Sequence, residues 1–140
     1  MTSRVESHPL ISIRSEATVQ EAARLMADCS IGALGVLGDT REFIGIITER
    51  DLSWFVAQAG DASATRVAEI VNDFPVVVDG PIEDADALAR MRSARIRHLI
   101  IREDHKLRIV SMRDYLLQRS GDGEKEPTVR SRTSTTRRSI

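Results

Sequence analysis

The sequence predicts an α+β fold in which one strand–helix–strand–strand–helix unit is built twice, and three observations lead there. Ile46-Ile47-Thr48-Glu49-Arg50-Asp51-Leu52 returns as Ile109-Val110-Ser111-Met112-Arg113-Asp114-Tyr115, repeating two apolar residues, a hydroxyl, two spacers, a carboxylate and an apolar residue. A shift of about 65 positions lays Val19, Ala22, Ala23 and Met26 on Asp84, Ala87, Leu88 and Met91. Those are i, i+3, i+4 and i+7, the buried stripe of an amphipathic helix, and three of the four stay apolar in the second copy. The same shift lays Ile31, Leu34 and Val36 on Ile96, Leu99 and Ile101, whose alternation and branching suit strands.

The elements follow in order. Each copy opens on a short extended piece, Leu10 to Ile13 in the first and Pro75 to Val78 in the second. The helix and first strand come next, and then the offset falls to about 63 between Leu37–Glu42 and Arg102–Lys106. Both stretches are polar, so the simplest cause is a hairpin turn two residues longer in the first copy. Ile44 to Ile47 and Leu107 to Val110 return as strands, and each passes through a hydroxyl residue straight into a helix. Ala57 to Ala64 is small and polar enough for a linker, and Thr65 to Val71 forms a short helix. The predicted division is 1–60, 61–120 and a Ser/Thr/Arg-rich tail, 121–140, with nothing to bury and therefore disordered.

Composition narrows the function classes. An apolar fraction of 41% supports a real core, and a net charge of −1 gives no overall field drawing the chain to nucleic acid or an anionic membrane. No apolar run approaches the roughly 20 residues of a membrane span, and Met1 to Ser7 lacks a signal-peptide stretch, so the expectation is a cytoplasmic protein. The single Cys29 excludes an internal disulfide or a cysteine metal cluster. The histidines lack metal-ligand spacing, and neither a Gly-rich phosphate loop nor a nucleophile motif occurs, which argues against an enzyme and leaves catalytic and metal residues unassigned.

Thr48-x-x-Asp51 is a capping box as it stands. Its return at the matching point of a duplicated unit, each time after a buried strand, points further. A hydroxyl beside the free N–H groups of a helix start can meet a phosphate, and a carboxylate can accept both hydroxyls of a ribose. The expected ligand class is a nucleotide.

From about Leu10 to Leu117 the chain resembles a tandem pair of CBS domains, the module named after cystathionine β-synthase, with Gly45-Ile46-Ile47-Thr48-Glu49-Arg50-Asp51 matching the Gly-apolar-x-Thr-x-x-Asp signature. Thr65 to Val71 is similar to the lead-in that precedes such a motif. The resemblance implies two βαββα repeats packed sheet to sheet with pseudo-twofold symmetry, a homodimer formed through the helices, and two clefts for adenosine compounds such as AMP, ADP, ATP or S-adenosylmethionine. It assigns Thr48 and Asp51 to the first cleft and Ser111 and Asp114 to the second. Arg97 and His98 fall where adenylate-sensing members place phosphate-reaching groups, although His98 also suits a plain surface strand. Arg108 replaces the signature glycine and Ser111 the threonine, so the clefts are expected to differ; Arg108 either crowds a ligand or adds a phosphate contact.

Arg50 and Arg113 are candidate ligand contacts or partners of a neighbouring acid. Ile13, Val36, Val78 and Ile101 are the expected apolar walls for an adenine. Trp54 and Phe55 read equally as core or as dimer anchors. The leading expectation is a nucleotide sensor regulating a partner protein, the alternative a nucleotide-free dimeric scaffold, and a weaker reading gives the Arg-rich tail a nucleic-acid or phosphorylated docking role.

Overall fold

The computed structural model describes residues 7–113, so Asp114 and the tail lie outside the described residues. Within them the order is β1 (His8–Pro9), β2 (Ser12–Arg14), α1 (Val19–Cys29), β3 (Ala33–Leu37), β4 (Phe43–Thr48), α2 (Glu49–Ala57), a 3-10 turn (Val67–Glu69), β5 (Val77–Asp79), α3 (Asp84–Ala94), β6 (His98–Glu103) and β7 (Lys106–Ser111). One sheet runs β2-β3-β4 and the other β1-β7-β6-β5, so the unit β-α-β-β occurs twice. In both, the first strand runs parallel to the second and the third turns back antiparallel.

Local chemistry sets the boundaries. Thr18 caps α1: its Oγ1 accepts the Glu21 N–H (3.1 Å) and Glu21 accepts the Thr18 N–H (2.8 Å). Both α1 and α3 end on a residue in the left-handed region, Ser30 (φ 55°) and Arg95 (φ 57°), which frees the chain to turn back into a strand. In the second hairpin Asp104 and His105 both have positive φ, as a two-residue turn matched to strand twist requires. Eight residues separate the paired Val36 and Gly45 but six separate Ile101 and Arg108, so the first hairpin is two residues longer, as the offset predicts. There the Thr40 hydroxyl donates to Glu42 (2.6 Å) and holds its carboxyl below the usual range.

Each helix covers one face of its sheet. Ala22, Met26, Leu34, Val36 and Ile47 make the first core, and Val78, Ala87, Met91, Leu99, Ile101 and Val110 the second. A side chain the size of Leu or Ile contributes about 1.5–3 kcal/mol when fully buried. Residues of opposite parity, among them Ala33, Ile46 and Ile100, are buried as well but belong to neither core. Strand alternation puts them on the faces turned away from the helices, where one sheet meets the other.

The stretch just after residue 60, read from the sequence as part of the second unit, packs on the first. Val67 is fully buried in the first core, with Ile70 and Val71 packed beside it. Backbone bonds fasten this stretch to the first unit: Val67 N–H donates to Ala17 O (2.8 Å), Ala68 N–H to Ser15 O (2.9 Å) and Val19 N–H to Thr65 O (2.9 Å). The lead-in of the second unit is thus built on the first. The converse also holds, since β1 pairs with β7, His8 facing Ile109, while Asn72 bridges Ile46 in β4. These two pairings sit 64 and 63 positions apart, the repeat offset itself.

Candidate nucleotide cleft

The strand-to-helix junctions of the two units converge on a single cleft of about 700 Å³, a size typical of small-molecule sites. Its inner surface comes from the sheet-facing parity, with Ile46 and Thr48 from β4 and His98 and Ser111 from β6 and β7. Cross-strand pairing places His98 opposite Ser111 and Ala33 opposite Thr48. The junctions are made alike: Glu49 N–H donates to Gly32 O (3.0 Å), and Met112 N–H to Arg97 O (2.8 Å). Asn72, Phe74, Pro75 and Val76 from the second lead-in form one rim.

At the first junction the capping box is complete. Thr48 N–H (2.8 Å) and Oγ1–H (3.0 Å) donate to Asp51 Oδ2, and Thr48 Oγ1 accepts the Asp51 N–H at 3.3 Å. The cap uses Oδ2, and a carboxylate with two oxygens keeps acceptor capacity beyond it. At the second junction Ser111 Oγ accepts the Arg113 N–H (3.0 Å). Arg113 reaches across the repeats to Glu49, Nη2 to Oε1 3.1 Å. Arg50, Arg95 and Arg97 also line the cleft, so four arginines stand among its lining residues beside Glu49 and Asp51. Arginine stays charged at any working pH.

The sequence expectation therefore changes in three ways. Thr48, Arg50, Asp51, Arg97, His98, Ser111 and Arg113 all line this cleft, so one space takes residues that were divided between two. Asp114 lies outside the described residues. Ile13, Val36, Val78 and Ile101 pack under the helices in the two cores and are not among the residues lining this cleft. They have the wrong strand parity, and a one-residue error inverts the face of every side chain. The apolar lining comes instead from Ile46, Phe74, Pro75, Val76, Ile96 and Met112. Phe74, 86% exposed, carried no periodic signal, yet an aromatic outside any apolar stripe was the available clue.

Arg108 is the third correction. It shares a face with Val110, opposite in parity to Ser111, and its guanidinium donates to Ser7 Oγ (2.8 Å) and Ser7 O (2.7 Å). In this structure those bonds fasten the chain entering β1. At the matching position of the first unit the Asn72 carbonyl passes so close that a Cβ on Gly45 would lie 2.2 Å from it. Different partners account for the different residues.

Trp54 and Phe55 also separate. Trp54 is 66% exposed on α2 beside exposed Val56. The Phe55 ring lies against Gly60, where a Cβ would come within 2.4 Å of it. Among the described residues no group of three His, Cys, Asp or Glu side chains could hold a metal ion, and no helix is long and apolar enough to cross a membrane.

Comparison with known proteins agrees with this geometry. Residues 3–57 match the family model of the CBS domain. A solved protein with CBS domains from Burkholderia ambifaria is 30% identical and superposes with a TM-score of 0.72, covering 85% of this chain and 88% of that one. The chain belongs to the CBS-domain family. A CBS domain protein from Pyrobaculum aerophilum complexed with AMP shares the fold at 23% identity, with a TM-score of 0.67 over 83% of this chain and 94% of its own. The CBS chain is also 29% identical over 112 residues to inosine-5'-monophosphate dehydrogenase of Methanocaldococcus jannaschii, which covers 79% of the chain but 22% of that enzyme.

Proposed function

We propose that the cleft binds an adenosine-type nucleotide, from the class of AMP, ADP, ATP and S-adenosylmethionine, and that the CBS pair acts as a ligand sensor regulating a partner protein. The observation that carries this reading is the convergence of both strand-to-helix junctions, with their hydroxyls and first-turn N–H groups, on one cleft lined by four arginines. Helix starts and guanidinium groups favour phosphate oxygens, while Asp51 suits ribose hydroxyls. The AMP complex of the Pyrobaculum protein lends the reading chemical precedent. Because the cleft walls come from both repeats, a ligand that prefers one relative orientation shifts the pair toward it by its differential affinity.

A thermal-shift and calorimetric screen of AMP, ADP, ATP, S-adenosylmethionine, NADH and cyclic dinucleotides is the test. Stabilisation by at least one adenosine compound is expected, and silence from all of them at millimolar concentration would leave the dimeric scaffold as the better reading. That second reading draws on the exposed Trp54 and Val56 of α2. We assign this face to self-association as a homodimer. Trp54→Asp is then expected to raise the dimer dissociation constant at least about tenfold, as loss of an aromatic anchor does. Sedimentation unchanged by the substitution would move the interface elsewhere.

A further inference from the structure

We propose that the open edge of β5, with the groove beside it on α3, is a docking site for the chain's own basic tail, residues 128–132 pairing there as an added strand. The edge carries the first half. β5 ends its sheet; Val76 O accepts the Ile100 N–H (3.2 Å) and Gly80 N–H donates to Arg102 O (2.8 Å), so the even-numbered residues turn their backbone toward β6. Val77 and Asp79 turn theirs outward. Among the described residues no strand pairs with that side, and such an edge is a template for one more. Beside it runs a groove of about 780 Å³, lined by Val77, Asp79 and Ile82 and by Asp86, Ala89 and Ser93 of α3. A shift of 65 positions puts Arg24 and Asp28 of the first unit where Ala89 and Ser93 stand. The smaller pair gives an added strand its room at the second helix.

Charge and reach choose the occupant. Asp79, Glu83, Asp84 and Asp86 stand at this edge or at the start of α3, against Arg90 in the groove and Arg102, whose Nη1 lies 3.0 Å from Asp79 Oδ1. The surface is acidic in a molecule whose net charge is only −1. Thr128 to Ile140 supplies the complement, with Arg130, Arg132, Arg137 and Arg138 and no acidic side chain. β-branched Thr128 and Val129 suit a strand, in which Arg130 and Arg132 share one face. Fifteen residues lead from Arg113 to Thr128, a span of up to about 50 Å against roughly 30 Å for the width of a small domain. The tail therefore reaches the edge of its own chain. Exposed ion pairs are weak one at a time, but tethering makes the encounter intramolecular, so a few of them with the strand bonds suffice.

Residue-resolved amide exchange on the full chain is the test. The Val77 and Asp79 amides are expected to exchange at least about tenfold faster in the double variant Arg130→Glu/Arg132→Glu than in the parent, and the parent to lose the same protection in about 0.5 M salt. The Val78 amide, turned toward β6, and the melting temperature are the folding controls and should not change. Asp86→Lys alone should speed exchange at Val77 and Asp79 in the same way. Combined with the two tail substitutions it should restore much of the protection, because the charges are then exchanged between the partners. Val77 and Asp79 exchanging alike in the parent and in the tail variant would show the edge empty and overturn the proposal. Protection that fades as the protein is diluted would assign the added strand to a second copy and overturn docking within one chain.

Discussion

Asp51→Ala is expected to weaken adenosine-nucleotide binding by about 1.5–3 kcal/mol, roughly 10- to 150-fold, the scale of hydrogen bonds to a charged group. It also removes half of a capping box, which costs about 1 kcal/mol of stability. The two effects have separate readouts. The cap bonds Thr48 N–H and Oγ1–H to Oδ2, so its loss lowers the melting temperature whether or not a ligand is present. A ribose contact appears only in affinity, and it should weaken adenosine and ATP alike while sparing inorganic tripolyphosphate. Asp51→Asn sharpens the comparison because an amide oxygen can still accept the Thr48 N–H. Affinity unchanged in Asp51→Ala would reduce the residue to a helix cap and remove the strongest reason to seat a ribose at this junction.

The larger stability loss is expected at Gly45. Alanine there sets a methyl 2.2 Å from the Asn72 carbonyl oxygen, a distance no side chain can hold. Backbone must move, and that backbone carries the reciprocal bonds Ile46 N–H to Asn72 O (3.0 Å) and Asn72 N–H to Ile46 O (2.9 Å). Overpacking together with two broken bonds amounts to about 2–4 kcal/mol. For a fold of this size that corresponds to a fall of about 10–20 °C in melting temperature. Because Asn72, Phe74, Pro75 and Val76 follow directly as the cleft rim, ligand affinity should fall with stability. A Gly45→Ala protein that melts within about 3 °C of the parent would show that the lead-in can shift without strain.

Much of this architecture was legible in the residues because duplication doubles every signal. Val19, Ala22 and Met26 announce α1, and Ala87 and Met91 announce α3 despite a polar Asp84 at the head of the stripe. The two-residue difference between hairpins followed from a change of offset alone. Thr48 and Ser111 were singled out because their positions are tied to the repeat, and Arg97 and His98 by the resemblance to CBS domains; all four line the cleft. What stayed hidden was parity and partnership. Ile13, Val36, Val78 and Ile101 are apolar on strands buried on both faces, so composition cannot say which face meets a helix and which meets the other sheet. Arg108 looked like a ligand contact because Ser7, its partner, lies 101 residues away in sequence. That both junctions open on one cleft depends on how the sheets face each other, which no local pattern encodes.

The crossed lead-ins bear on the order of events during synthesis. Strand β1 leaves the ribosome first but pairs with β7, made about a hundred residues later. The second lead-in, by contrast, finds β4 already complete. Closing so long a loop carries an entropic cost that grows only with the logarithm of length, yet contacts so distant in sequence slow the search. The first sheet can therefore assemble around Val67 while the second waits for its last strand. A nascent chain shorter than about Ser111 has no second junction, and so no complete cleft before the whole paired unit is made.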